Sequence, residues 1–413
     1  MRKRVVITGL GCISPLGNSV DEAWQALMAG KTGAGPITHF DASQHKTKFA
    51  CEVKNFDPAG LFGGREARRM DRFTQFALAA ARQALDNSAL TVDDSNRDRI
   101  GVVVGSGIGG IGTLAEQVAV LAEKGPDRVS PFLVPMMISD TAAGMTAIHL
   151  GLRGPNMAVV TACASGNNAI GEATEMIRRG AADVMLAGGA EAAITPITIA
   201  GMNVMGALST RNDDPLTASR PFDKTRDGFV MGEGGVMLVL ESLEHARARG
   251  AAILAEITGY GTTDDAYHVS APAENGSGAA KCMQIAIADA GLKVTDIDYI
   301  NAHGTSTPLN DKSETAAIKT VFGEQAYKVA VSSTKSMTGH MIGAAGAMEA
   351  LICTLTFKHN ILPATINYAN PDPDCDLDII PNKPRPANPR HVMSNSFGFG
   401  GHNATLVFSR FEE

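Results

Sequence analysis

The sequence predicts an α/β protein built from two similar halves, and three observations lead there. Short apolar runs of strand type, such as Val5-Val6-Ile7-Thr8-Gly9 and Ile100 to Val104, alternate with longer stretches in which apolar residues recur at helical spacing. The alternation starts again after about residue 250, where Ile253-Leu254-Ala255-Glu256-Ile257-Thr258-Gly259-Tyr260-Gly261 echoes Val5-Val6-Ile7-Thr8-Gly9-Leu10-Gly11 as a strand running into glycines. With 413 residues and 44% hydrophobic content, the chain can bury a large core. The expected halves are residues 1–250 and 251–413, packed as layers of helix and mostly parallel sheet.

The elements follow in order. Val5 to Gly9 reads as the first buried strand, and Asp21 to Met28 as a short helix opened by Ser19 or Asp21. Phe73, Phe76, Ala77, Ala80, Ala81, Ala84 and Leu85 repeat over three turns, which predicts an amphipathic helix lying on a sheet. Ile100 to Val104 is a strand that enters Gly105-Ser106-Gly107-Ile108-Gly109-Gly110. This cluster lacks the Lys-Ser/Thr of a phosphate loop and reads as a tight turn where backbone approaches something closely. Further strands are expected at 184–188 and 234–241. In the second half the expected elements are strands at 299–300 and 329–332, and helices at 313–321 and 341–357.

Composition excludes several functions. The formal charge of −7 gives no global basic field for nucleic acid. No run approaches the roughly 18 apolar residues of a membrane span. Met1-Arg2-Lys3-Arg4 is followed by a strand and not by a signal-type apolar region. Six scattered cysteines, Cys12, Cys51, Cys163, Cys282, Cys353 and Cys375, form no CxxC pair, so neither a disulfide framework nor a zinc site is expected, and a reducing cytoplasm fits.

The candidate chemistry centres on Val159-Val160-Thr161-Ala162-Cys163-Ala164-Ser165-Gly166. Cys163 stands where a strand turns into a helix, a position whose free N–H groups and dipole favour a thiolate nucleophile. Taken alone, the octapeptide also fits a buried structural thiol. In the second half His303 follows a strand, in Asn301-Ala302-His303-Gly304-Thr305-Ser306-Thr307-Pro308, and His340 ends Ser332-Ser333-Thr334-Lys335-Ser336-Met337-Thr338-Gly339-His340 in the same manner. A cysteine and two histidines at strand ends, the place where α/β proteins build sites, point to a Cys–His–His centre spanning both halves.

These segments, together with Asn395-Ser396-Phe397-Gly398-Phe399-Gly400-Gly401-His402-Asn403, resemble the signature segments of the β-ketoacyl-acyl-carrier-protein synthases over essentially the whole chain. The synthase II branch is the nearer likeness. The resemblance implies a thiolase-like fold of five αβαβα layers, a homodimer, and acyltransferase activity in fatty-acid elongation. The reaction implied is decarboxylative Claisen condensation of a malonyl group on acyl carrier protein with an acyl chain held on Cys163. His303 and His340 would serve decarboxylation, and Lys335 and Phe399 complete the catalytic set. Phe399, between glycines, would gate the cysteine, and its N–H with that of Cys163 would form an oxyanion hole.

The apolar run 341–357 leaves no polar face, so Glu349 is expected to be buried and paired with Lys335. By resemblance Asn301, Ala302, Glu349, Ser394 and Asn395 form a candidate monovalent cation site, with a structural hydrogen-bond cluster as the alternative; no metal and no cofactor is assigned. Arg65, Arg68, Arg69 and Arg72 fall at i, i+3, i+4 and i+7 and would form one basic stripe if the stretch is helical. Within it, Arg65, Arg68 and Arg69 match the family's docking surface for acyl- or malonyl-loaded carrier protein. Thr305 and Thr307 would bond the pantetheine arm, while Ile108 and Met202 would line the acyl pocket. A ketosynthase of a polyketide or other specialised acyl pathway shares these motifs. A thiolase would want a second late cysteine, and a non-catalytic chain-length partner would lack Cys163.

Overall fold

The computed structural model describes residues 2–412. Ten strands make one continuous sheet: β1 (Val5–Ile13), β2 (Ile100–Gly105), β3 (Asn156–Val159), β4 (Val184–Glu191), β5 (Gly234–Ser242), β6 (Ala255–Asp264), β7 (Tyr299–Asn301), β8 (Ala330–Ser332), β9 (His391–Phe397) and β10 (His402–Ser409). Their order is β8-β7-β9-β10-β6-β1-β5-β4-β2-β3. The first five strands of the chain occupy the side that reads β3-β2-β4-β5-β1, and the last five occupy the side that reads β8-β7-β9-β10-β6. Ranked by chain order within its side, each set is arranged 3-2-4-5-1. Within the sheet, among the described residues, the two sides join where Val5–Ile7 of β1 pairs with Ala255–Ile257 of β6.

The expected mostly parallel sheet is corrected to a mixed one. The pairs β2·β3, β2·β4, β7·β8 and β7·β9 are parallel. The pairs β4·β5, β5·β1, β9·β10, β10·β6 and β1·β6 are antiparallel. The cause is that the fifth strand of each half returns beside the fourth in reverse. Covered on both faces, these strands carry the continuous apolar runs that parallel strands also show.

Two helices fill the space between the halves, Ser165–Arg178 and Ala345–His359, and each packs on strands of both. Every residue from Ala345 to Phe357 is buried, which is why the run shows no polar face. Arg72–Ser88 and Thr141–Leu150 cover the outer face of the first half, and Ser277–Asp289 and Pro308–Phe322 cover that of the second. Helix, sheet, helix, sheet and helix are the five layers. Caps explain the starts: Ser19 accepts from Glu22 N, Asp71 from Phe73 N, and Thr307 from Asn310 N ahead of Pro308.

The arginine stripe is not one helix. Gly64–Ala67 is a single short turn, and a new helix starts at Arg72 behind the Asp71 cap. Arg72 turns inward, where Nη2 donates to the buried Glu233 at 2.8 Å and the guanidinium lies over the Phe76 ring at 4.7 Å. Arg65 and Arg68 are exposed, and Arg69 pairs with Glu66. No helix among the described residues is long and apolar enough to cross a membrane.

Candidate active site

Cys163 lies in a one-turn 3-10 helix, Ala162–Ala164, between β3 and the buried helix Ser165–Arg178. The residue before it, Ala162, has φ +50°, in the left-handed region that ordinary residues avoid. In the second half the turn Ile342–Ala344 precedes the other buried helix, and Ile342 has φ +46°. The same bend is thus used in both halves, with a cysteine at 163 and a glycine at 343. In the first half the bend is locked locally, since Ser165 Oγ accepts from Thr161 N at 2.9 Å and donates to Ala162 O at 2.7 Å.

His303 follows β7 by two residues, as expected. His340 does not follow its strand directly, because the short helix Lys335–Thr338 and Gly339 at φ +66° stand between β8 and His340. The structure still brings all three residues together. His340 Nε2 is 3.0 Å from Cys163 Sγ, and the rings of His303 and His340 meet edge to face with centroids 5.4 Å apart. One ligand-type atom from each of the three lies within 4.8 Å of the other two. All three are buried.

Electrostatics correct one expectation. Burial pushes the Cys163 thiol up to about 12, outweighing Lys335 and the N–H groups of Phe399 and Cys163 itself, which pull it down. The resting group is a thiol, and His340 Nε2 is placed to take its proton. Burial, and after it the charge of Lys335, hold both histidines well below their ordinary range, so they are neutral at neutral pH. Lys335 and Glu349 form the expected buried ion pair. Lys335 lies outside the lining of the cavity and acts on the site through its charge.

A cavity of about 390 Å³ opens onto the cluster, and Cys163, His303, His340, Thr305, Thr307 and Phe399 all line it. The Thr305 and Thr307 hydroxyls are 3.0 Å apart. Phe399 is half-buried, and Gly400 and Gly401 beyond it have φ +88° and +87°, so the segment uses glycine's freedom. Ile108 and Met202 do not line this cavity. They pack into an apolar cluster on Cys163 with Ile194, Ile199, Phe229 and Ile342. At the candidate cation site, Asn301 and Ser394 face each other between β7 and β9. The Asn301 side-chain amide and Glu349 Oε2 are buried without hydrogen-bond partners, and unpaired oxygens of this kind suit a hard cation. Asn395 is engaged elsewhere, accepting from Thr405 Oγ1 at 2.9 Å.

Two buried carboxylates were not picked out from the sequence. Glu314 accepts the N–H groups of His303 and Gly304 at 2.8 and 2.7 Å, and Glu191 accepts those of Gly107 and Ile108 at 2.6 and 3.2 Å. Burial pushes each carboxyl up to about 7 against those donors. The available signal was an acid ending an apolar strand run in one case and an acid three residues after Asp311 on a helix in the other.

Residues 2–246 match the family model "Beta-ketoacyl synthase, N-terminal domain", and residues 254–369 match "Beta-ketoacyl synthase, C-terminal domain". The chain is 53% identical over 411 residues to a 3-oxoacyl-[acyl-carrier-protein] synthase 2 of Synechocystis sp., covering 100% of this chain and 99% of the relative. Among solved structures it is similar to the ishigamide ketosynthase/chain length factor, with TM-score 0.94, 40% identity and full coverage of both chains. It is also similar to a type II PKS ketosynthase in complex with its acyl-carrier protein and bound to the hexaketide, with TM-score 0.92, 35% identity and full coverage of both.

Proposed function

The chain belongs to the β-ketoacyl synthase family, and from that premise we propose how its residues carry out a 3-oxoacyl-[acyl-carrier-protein] synthase II reaction in fatty-acid elongation. It is an acyltransferase that condenses acyl and malonyl groups carried on acyl carrier protein. The observation that carries the assignment of roles is the contact of Cys163 Sγ with His340 Nε2 beside the His303 ring, at the cavity wall.

In the first half-reaction the thiol of Cys163 gives its proton to His340 and attacks the acyl thioester carbonyl. The N–H groups of Cys163 and Phe399, both of which lower the thiol pKa, hold the oxyanion. As the intermediate collapses, the carbon–sulfur bond to the carrier breaks, and the pantetheine sulfur leaves with the proton from His340. The acyl chain then lies among Ile108, Met202, Phe229 and Ile342. In the second half-reaction the malonyl thioester loses carbon dioxide, and the N–H groups of neutral His303 and of neutral His340, its proton now moved from Nδ1 to Nε2, hold the enolate oxygen. The carbanion attacks the acyl-cysteine carbonyl, the new carbon–carbon bond forms, and Cys163 leaves as thiolate to be reprotonated by water. Thr305 and Thr307 orient the pantetheine arm, and Arg65, Arg68 and Arg69 meet the acidic carrier. Asn301 and Glu349 would hold a monovalent cation, which would supply a fixed positive charge near Lys335.

A division at residues 250/251 is supported by the short helix after β5, which ends at Ala248, and by β6, which opens the repeated strand order at Ala255. Homodimer formation is supported by β3, which ends the sheet with a free edge, and by exposed Ile138, Ile148, Met157 and Val160 around it. A cytoplasmic location accords with six free cysteines. A ketosynthase of a polyketide or other specialised pathway would use the same site. The separating experiment supplies acyl carrier proteins loaded with chains of several lengths plus malonyl carrier protein. Release of carbon dioxide with 3-oxoacyl products two carbons longer over a saturated series supports fatty-acid elongation. Repeated extension to poly-β-ketone chains supports the alternative.

A further inference from the structure

Glu191 closes β4 and is fully buried, yet it touches no part of the cavity. Its carboxylate collects four donors from two loops. Oε2 accepts from Gly107 N at 2.6 Å and Gly343 N at 3.0 Å, and Oε1 accepts from Ser106 Oγ at 3.0 Å and Ile108 N at 3.2 Å. The loop donors come from the first half, and Gly343 comes from the strained turn of the second half, next to Ile342. Space there is tight: a Cβ on Gly107 would lie 2.8 Å from Ile342 Cγ2, and one on Gly343 would lie 2.5 Å from Gly107 N. The two loops therefore touch through glycines around one carboxylate, and Ile108 and Ile342 project from them into the apolar cluster on Cys163.

The repeat in the fold shows what such a carboxylate does. β2 and β7 are the second strands of their halves. Gly107 and Ile108 are the second and third residues after β2, and His303 and Gly304 are the second and third after β7. Glu314 accepts the N–H pair of the latter, as Glu191 accepts that of the former. One carboxylate fixes the loop that bears a histidine, and the other fixes the loop that bears Ile108.

We propose that Glu191 is a positioning residue that sets acyl-chain selection, by clamping the loop of Ile108 to the turn of Ile342 so that the two side chains form a fixed pocket wall beside Cys163. This rests on the synthase reading above. A charged carboxylate accepts four donors with two oxygens, whereas a glutamine in its place offers one oxygen and turns an N–H₂ group on donors. Glu191→Gln therefore loosens the wall without changing its apolar surface.

The test measures kcat/KM of wild type, Glu191→Gln and Ser106→Ala over acyl carrier proteins from C6 to C16. Malonyl decarboxylation is measured alongside on enzyme whose Cys163 has been blocked with iodoacetamide. The expected result is that Glu191→Gln flattens the chain-length profile, cutting the ratio between best and worst acyl lengths at least fivefold. Decarboxylation stays within about twofold of wild type, because Glu314 still holds the His303 loop. Ser106→Ala, which removes one donor to Glu191 and the acceptor of Gly109 N in the same loop, shifts the profile in the same direction by less and decides the matter if Glu191→Gln does not fold. A uniform fall at every length overturns the proposal and leaves Glu191 as packing alone, and so does a fall in decarboxylation equal to that in condensation. A wild-type protein that elongates no acyl carrier protein at all overturns the synthase reading instead.

Discussion

Replacing Lys335 with Met separates two effects of one buried charge. The side chains of Lys335 and Glu349 are 1% and 2% exposed, so neither partner has water to fall back on. Lys335 bonds Glu349 Oε1, Oε2 has no hydrogen bond, and burial already raises that carboxyl. Breaking such a pair by removing one member costs about 3–5 kcal/mol. Protonation of Glu349 relieves part of the cost at low pH. The sign follows from the raised pKa: above the ordinary carboxylate range the unfolded chain releases the proton while the folded one keeps it, in wild type up to about 7 and in Lys335→Met to higher pH still, so the deficit of the variant widens above pH 7 and is larger at pH 8 than at 5 or 6.5. In Lys335→Met/Glu349→Leu both charges are gone, and most of the stability returns. Catalysis responds differently. Burial and Lys335 together keep His303 and His340 neutral, so both variants raise the histidine pKa values and move the acid limb of the kcat/KM profile to higher pH. Denaturant unfolding at pH 5, 6.5 and 8 with pH–rate profiles of all three proteins provides the assay. A single variant within about 1 kcal/mol of wild type at pH 8 would refute the stability argument, and an unmoved acid limb in the double variant would refute the electrostatic one.

Ile108→Phe enlarges the wall beside Cys163 and turns long chains away. At about 0.8 kcal/mol per methylene, kcat/KM falls about fourfold for each one excluded, or about two-hundredfold over four, while short acyl groups are still elongated; a uniform fall would show that Ile108 is packing only. Reversing Arg65, Arg68 and Arg69 to Glu raises KM for carrier-bound substrates about tenfold or more and leaves unfolding unchanged, since the first two are exposed and the third is half-buried in a surface pair. Small pantetheine thioesters are used as before, and equal loss on both substrate types would move the docking surface elsewhere. Cys163→Ala abolishes condensation while malonyl decarboxylation, which the proposal assigns to His303 and His340, continues; loss of both activities would put Cys163 in the second half-reaction too.

Most elements and the proximity of Cys163, His303 and His340 were legible because each rests on local pattern. Ile170, Ala173, Thr174 and Ile177 mark the buried helix behind Cys163, and all four are buried. The signature segments then joined residues 140 and more positions apart. Strand direction was not legible, because a strand such as β5, covered on both faces, is apolar throughout whichever way it runs. The arginine spacing fitted a helix, but Asp71 capping a new start broke it, and spacing carries no information on where a cap interrupts. The thiolate expected from the helix start was outweighed by burial, which depends on what the second half lays over Cys163. Glu191 and Glu314 stayed hidden for a related reason: an acid after an apolar strand run reads as the element's wet end until the loops that donate to it are in place.

The central claim, that Cys163 carries the acyl chain between two carrier-protein substrates, is tested most directly by intact-protein mass spectrometry with peptide mapping. After incubation with acyl carrier protein the account predicts a mass gain of one acyl group, located on Cys163, absent from Cys163→Ala, and discharged when malonyl carrier protein is added. An adduct that persists on Cys163→Ala, or one on Cys163 that malonyl carrier protein cannot discharge, would contradict it.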